Sequence, residues 1–199
     1  MHQHVTIRDS SLHIVETGRQ FSESVVFLHG WPEDWMEWRS IINLAAKTYH
    51  IVALDLPGIG ESSEAVPNGE KTAIAEIVHQ VINNLGLNTC TIVGHDAGAM
   101  VSYAYLRKYS AELKAAVLIS SVIPGVEPWS KVMANPYVWH FRFHSIPKLP
   151  ETLVMGNQRV YFDYFFNTLL KDPLRISDSI RDHYASAYRS NKALQTGFE

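Results

Sequence analysis

The residue pattern best suited to covalent chemistry is Gly94-His95-Asp96-Ala97-Gly98, which lies between a predicted strand and a predicted helix. A sharp turn from strand into helix leaves no room for bulk, and glycines fill the flanking positions. The residue at such a turn is held in a strained conformation near the positive N-terminus of the helix. An Asp placed there can attack an electrophilic carbon and form an ester. Capping of the helix is the competing interpretation of Asp96, and we predict that it is the nucleophile.

A second motif, His29-Gly30-Trp31-Pro32, follows an earlier predicted strand. The backbone N–H groups of Trp31 and Ala97 are expected to converge on one point and form an oxyanion hole. A cis bond before Pro32 would hold that geometry. Alone, the motif is weak evidence, because it is equally typical of a strand-to-helix turn. Together with the Asp96 motif, in this order along the chain, it favours an oxyanion hole.

Alternating apolar segments predict the elements that position these motifs. The strands are each a short apolar run without polar alternation, and each is followed by a helical pattern or a turn, which indicates a parallel sheet covered on both faces. A polar turn after residue 8 predicts a hairpin of strands 3–8 and 12–17 at the start of the chain. The later predicted strands are 24–28, 50–54, 89–93 and 113–119, and the predicted helices are 35–47, 70–85 and 99–109.

The composition and the hydrophobic pattern of the sequence change after Pro124. Strand-like runs end, aromatic residues become frequent, and residues 160–170 and 176–189 have helical patterns. We therefore predict two parts: residues 1–124 form the N-terminal part of an α/β core, and residues 125–199 form a helical cap segment over the carboxyl edge of the sheet.

The composition narrows the class of protein. With 199 residues, 46% of them hydrophobic and a net charge of −3, the chain can bury a core and has no basic surplus for nucleic acid. The polar N-terminus lacks a secretory signal, no run of residues is long enough to span a bilayer, and the single Cys90 cannot form an internal disulfide or a cysteine-based zinc site. These features predict a cytoplasmic enzyme without metal or cofactor, and Ser63 and Glu61 argue against a dinucleotide site after Gly58.

With these motifs the sequence resembles the α/β-hydrolase fold, and within it the epoxide hydrolases and the related dehalogenases. The resemblance covers essentially the whole chain, and Asp in place of Ser at residue 96 separates it from esterases and lipases. It implies that Asp96 opens an epoxide to give an ester, which water activated by a His–acid pair then hydrolyses. It also implies two hydrogen-bond donors in the cap, and His140 stands at the first of these positions. The aromatic cap predicts a small apolar epoxide as substrate, with water as the second reactant.

The sequence departs from this family after residue 199. Relatives continue into the second cap donor and two further core strands, which carry the catalytic His and often its acid partner. An alternative acid position after residues 113–119 holds Ser120 or Ser121, and His95 is expected to point away from the reacting centre. We therefore expect a truncated product or a fragment with impaired turnover and an unprotected apolar edge strand at residues 113–119.

Two other functions remain open. A haloalkane dehalogenase would have a halide-binding Trp directly after the nucleophile, where this chain has Ala97, and a fluoroacetate dehalogenase would have Arg residues there. A non-catalytic remnant that binds a ligand or partner is the second alternative, because the catalytic His is missing. The sequence leaves the oligomeric state open.

Overall fold

A six-stranded sheet forms the centre of the molecule in the computed structural model, which describes residues 1–7, 10–63, 69–87 and 89–199. The strand order is β1-β2-β4-β3-β5-β6. β1 and β2 are antiparallel to their neighbours, while β4, β3, β5 and β6 run parallel. The strands are β1 (His2–Ile7), β2 (Ser10–Thr17), β3 (Ser24–Leu28), β4 (His50–Leu54), β5 (Cys90–His95) and β6 (Leu113–Ile119).

Helices cover both faces of the sheet, as the continuous apolar strands predict. α1 (Arg39–Ala45) follows a short 3-10 turn at Trp35–Trp38 and packs on one face, where Trp38 and Ile42 meet Phe27 and Ile51. On the other face lie α2 (Lys71–Asn84) and α3 (Ala97–Tyr109), which contact each other and bury the larger core cluster. Burial on both sides explains why the central strands have no polar alternation.

The chain after β6 is helical over the part that we predict to be a cap. Its helices are α4 (Trp129–Met133), α5 (Trp139–His144), α6 (Leu149–Val154), α7 (Gln158–Leu169), α8 (Asp178–Ala187) and α9 (Asn191–Phe198).

These helices touch the loops that follow the strands. The Tyr188 hydroxyl donates a hydrogen bond to the Glu33 carbonyl over 3.0 Å, and the Gly60 N–H donates to the Ala187 carbonyl over 3.3 Å. The division into residues 1–124 and 125–199 stays a prediction.

Most predicted elements coincide with observed ones. The strand predicted at 113–119 is β6 with the same bounds, whereas the helix predicted at 35–47 divides into a 3-10 turn and α1. The N-terminal hairpin is present, but β2 begins at Ser10, so Ser10 and Ser11 are paired with β1 and do not form the predicted turn. Arg8, the end of the first predicted strand, and Asp9, in the predicted turn, lie outside the described residues. Within the described ranges, none of the helices is both long and apolar enough to cross a bilayer.

The predicted edge position of β6 is also confirmed. In the described part of the chain β6 pairs with β5 alone, and Val117, Leu118 and Ile119 are 43%, 41% and 37% exposed.

Candidate active site

The turn from β5 into α3 has the geometry that the sequence predicts. β5 ends at His95, α3 begins at Ala97, and Asp96 between them has φ +46° and ψ −113°, outside the conformations that residues with side chains prefer. A Cβ atom on Gly94 would lie 2.3 Å from the Gly98 carbonyl oxygen, and one on Gly98 would lie 2.2 Å from the Leu28 carbonyl oxygen. Both flanking positions therefore require glycine.

Trp31 and Ala97 are the two residues whose N–H groups are predicted to form the oxyanion hole beside Asp96. The Trp31 N–H donates a hydrogen bond to Oδ2 of Asp96 over 3.1 Å, and the bond between Trp31 and Pro32 is cis. The loop that carries Trp31 is anchored by His29, whose Nε2 accepts from the Leu56 N–H over 2.9 Å. Ala97 is the first residue of α3, so its N–H has no partner within the helix.

Asp96 lines a cavity of about 420 Å³ between the sheet and the later helices. The side chains that line it fall into an apolar, largely aromatic group and a charged or polar group. The apolar group is mainly Met100, Phe141, Phe165, Phe166, Leu169, Leu170 and Phe198. The polar group is Glu33, Lys71, His95, Asp96, Ser120, His140, His144 and Glu199.

His140 lies in this cavity, as its predicted role requires. Its ring stacks on Trp31 with centroids 5.9 Å apart and planes at 11°. Nδ1 of His140 is buried and has no hydrogen-bond partner among the described residues. Loss of hydration lowers the pKa of His140, and the charge of Asp96 opposes that shift. His140 is therefore uncharged at neutral pH and can donate one N–H.

His144, one helical turn further on, has a different environment. Its Nε2 is 2.7 Å from the Tyr161 hydroxyl, and its ring stacks on Phe198. Burial, together with the neighbouring His140, lowers the pKa of His144 to about 3. This ring is a packed, neutral part of the cavity wall.

A group of three titratable residues beside Asp96 was not predicted from the sequence. Nδ1 of His95 is 2.7 Å from Oε1 of Glu37, and the other oxygen of Glu37 accepts from the Gly30 N–H over 2.9 Å. The Glu37 carboxylate, as acceptor of a hydrogen bond from the imidazole, raises the pKa of His95 to about 9. Because His95 lines the cavity, the prediction that it points away from the reacting centre is wrong.

Glu33 is the third residue of the group that also contains His95 and Glu37, and it lines the cavity. A Cβ atom on Gly30 would lie 2.7 Å from Nδ1 of His95, 3.1 Å from Cβ of Asp96 and 3.2 Å from Oε2 of Glu33, so these three side chains surround one point. Burial, with a contribution from Glu37, raises the pKa of Glu33 well above its ordinary value. The charged form of Glu33 is therefore disfavoured at this position.

Glu33, Glu37 and His95 are the one set of three potential metal ligands that lie together within the described residues. Within this set His95 and Glu37 form an ion pair, and burial raises the pKa of Glu33, which disfavours the charged carboxylate that a metal ion would need. We assign no metal or cofactor to them. The sequence alone does not reveal the group, because the motifs that supply it are separated by more than fifty residues.

The parallel sheet, the sharp turn at Asp96 and the N–H group directed at its carboxylate define the site of an α/β hydrolase. The chain matches the model of the α/β hydrolase fold family over residues 23–197, and it belongs to that family. The predicted fold class is thereby confirmed.

Similar proteins point to one branch of this family. The chain is 28% identical to a soluble epoxide hydrolase of Corynebacterium sp. strain C12 over 84% of this chain and 59% of that protein. It is 30% identical to epoxide hydrolase 4 of Mus musculus over 84% of this chain and 48% of that protein. Among solved structures, Cfl2 from Burkholderia cenocepacia has a TM-score of 0.89 and 32% identity, covering 99% of this chain and 68% of that one. The chain thus spans about half the length of the curated relatives it matches.

The site residues predicted from the sequence, Asp96, Trp31, Ala97 and His140, all line one cavity. Lys71 lines it as well and was missed by the sequence analysis. A signal was present, because Lys71 begins α2, where acidic and capping residues are preferred and a cation is disfavoured.

Proposed function

We propose that this chain carries the epoxide-opening site of an epoxide-hydrolase-like enzyme, with Asp96 as the nucleophile. The hydrogen bond from the Trp31 N–H to Oδ2 of Asp96 is the observation that carries the proposal. It orients the carboxylate and leaves Oδ1 free to attack. Oδ1 forms a bond to an epoxide carbon, the bond from that carbon to the ring oxygen breaks, and the electron pair stays on the ring oxygen.

His140 is the proposed donor to the ring oxygen. Its neutral imidazole lies in the same cavity as Asp96 and is held against Trp31. A hydrogen bond from its N–H stabilises the negative charge that develops as the ring opens. The aromatic wall formed by Phe141, Phe165 and Phe166 favours an apolar, aryl-substituted epoxide.

Hydrolysis of the ester requires a base that activates water. Water adds to the ester carbonyl, the Trp31 and Ala97 N–H groups hold the resulting oxyanion, and collapse releases the diol and restores Asp96. Of the described histidines that line the cavity, His95 is held in an ion pair and desolvation makes His140 and His144 weak bases. We therefore propose that in this chain the ester forms and hydrolyses slowly.

Intact-mass spectrometry after incubation with styrene oxide tests the proposal. The wild-type chain is expected to gain the mass of one epoxide, and Asp96→Asn is expected to gain none. Digestion and fragmentation must place the added mass on Asp96. An unmodified, folded wild-type chain would contradict the proposal and favour the non-catalytic alternative.

A haloalkane probe separates the proposal from dehalogenation. Both reactions form an ester at Asp96, but the ring oxygen of an epoxide leaves as an alkoxide, which is a much poorer leaving group than chloride and depends more on a hydrogen-bond donor. His140→Phe is therefore expected to slow ester formation from styrene oxide much more than any reaction with a chloroalkane. Faster esterification by the chloroalkane than by the epoxide in the wild type would favour a dehalogenase.

A further inference from the structure

Lys71 lines the cavity that holds Asp96 and has no role in the reaction steps described above. It is the first residue of α2. It also lines a smaller cavity of about 30 Å³ that Trp31 and Ala97 share. The lysine side chain thus lies along both spaces that border the proposed oxyanion hole.

The position of Lys71 is costly for the fold. A cation at a helix N-terminus opposes the helix dipole, and burial of an ammonium group removes its hydration. Burial lowers the pKa of Lys71 accordingly, although the charges of Asp96 and Glu199 counteract part of the shift. A neutral side chain here would give a more stable helix start, so stability does not explain the lysine.

The ammonium group has hydrogen-bonding capacity to spare. Nζ of Lys71 donates to the Gly69 carbonyl over 3.0 Å, which uses one of its three N–H donors. In the described part of the chain, no carboxylate is close enough to Nζ to form an ion pair. Asp96 and Glu199 act on it from a longer distance. Its charge is therefore available to the cavity.

The other titratable groups of the cavity leave Lys71 as a cation without a paired carboxylate among the described residues. His95 is paired with Glu37, and burial raises the pKa of Glu33. The remaining groups that face the cavity are the neutral His140 and His144 and the carboxylate of Glu199.

We infer that Lys71 is a positioning residue for hydrolysis of the ester, whose ammonium group stabilises the negative charge held by the Trp31 and Ala97 amides. The inference rests on the proposed function. Fixed positive charge in a dry cavity acts strongly on charge that develops in the transition state. In the proposed reaction, negative charge develops beside these amides when water adds to the ester, whereas formation of the ester removes charge from Asp96.

Decay of the styrene oxide adduct, followed by intact mass after the excess epoxide is removed, tests the inference. We expect Lys71→Met to slow the loss of the adduct from Asp96 by about tenfold or more without slowing its formation. Lys71→Arg is expected to retain most of the rate, because it keeps the charge. Lys47→Met, which removes an exposed lysine after α1, is the matched control and should leave the rate unchanged. Equal rates in Lys71→Met and the wild type would overturn the inference.

The pH profile and the stability of the same variants exclude a merely structural role. Since the pKa of Lys71 is lowered, the wild-type rate of adduct loss should fall at alkaline pH as the ammonium loses its proton. Lys71→Met should lack that fall, while any effect of His95 is common to both chains. Lys71→Met should also raise the thermal midpoint, whereas loss of a structural lysine would lower it and contradict the inference.

A charge measurement separates this inference from the proposed function. Lysines carrying isotope-labelled methyl groups report their pKa by NMR, and Lys71→Arg identifies the Lys71 signal. We expect the pKa of Lys71 to fall in Asp96→Asn, because the variant removes the carboxylate that stabilises the ammonium. An unchanged pKa would overturn the inference whatever the adduct result. A fall in pKa without any wild-type adduct would support the charge coupling and refute the epoxide chemistry.

Discussion

The backbone N–H of Trp31 and the carboxylate of Asp96, 65 positions apart in the sequence, are joined by a hydrogen bond of 3.1 Å. The contact exists because β3 and β5 are parallel neighbours, so the loops that follow them emerge at one edge of the sheet. Asp96 reaches it only with φ +46°. The site therefore depends on local strain that the sheet and α3 must maintain.

The strain at Asp96 can be measured by comparing two substitutions. Asp96→Ala and Asp96→Gly both remove the contact with Trp31, but only alanine keeps a Cβ atom at positive φ. We expect Asp96→Gly to have a free energy of unfolding about 1 kcal/mol higher than Asp96→Ala. Urea denaturation provides the measurement, and Ala104→Gly within α3 should show the ordinary opposite order. A less stable glycine variant at residue 96 would show that the turn is unstrained.

The sequence was sufficient to predict the sheet and the approach of the Trp31 loop to the turn at residues 96 and 97, because both depend on apolar runs and on parallel pairing. Buried strands such as β3 and β4 need nothing but continuous apolar residues, and the parallel pairing of β3 with β5 places the two motifs at one edge. The turn at Asp96 and Ala97 follows directly from Gly94 and Gly98, because no residue larger than glycine fits at those two positions.

The environment of these residues could not be predicted in the same way. Glu37 meets His95 because a 3-10 turn precedes α1 and directs the glutamate back towards Gly30. Lys71 reaches the cavity through the placement of the N-terminus of α2. Loop conformations depend on many weak contacts at once, and hydrophobic periodicity carries no information about them.

The ion pair between His95 and Glu37 predicts a pH-dependent stability. The pKa of His95 is about 9 in the folded chain, compared with about 6.5 when unfolded. Because the folded value is raised, the stabilisation is complete below pH 6.5 and is lost as the pH rises through 9. We expect the free energy of unfolding to fall by about 2–3 kcal/mol between pH 6 and pH 10.

Glu37→Gln isolates the contribution of this pair. The variant keeps a side chain of the same size but cannot hold a charged imidazole. Its free energy of unfolding, measured by urea denaturation at several pH values, should decline less than that of the wild type over this range. Parallel pH curves for the two chains would show that His95 is not protonated in the fold.

His140 and His144 offer a matched comparison within α5. His140→Phe keeps an aromatic ring on Trp31 but removes the N–H, so we expect adduct formation with styrene oxide to slow by about a hundredfold. His144→Phe, a substitution on the same helix as His140, removes the contact with Tyr161 of α7. We expect it to slow adduct formation far less. The rate of mass increase under single-turnover conditions gives both values. Equal losses in the two variants would assign the effect to packing and not to hydrogen bonding.

The exposed edge of the sheet predicts self-association of this chain. β6 leaves Val117, Leu118 and Ile119 exposed, and an unpaired apolar strand can add a strand from another molecule. We expect sedimentation velocity to show larger species with rising concentration and Leu118→Lys to suppress them without lowering the thermal midpoint. Leu174→Lys alters an apolar residue that is 90% exposed and lies outside the sheet, so it should leave association unchanged. Equal suppression by both substitutions would attribute association to general hydrophobicity, because a specific edge contact responds only to a charge placed on β6.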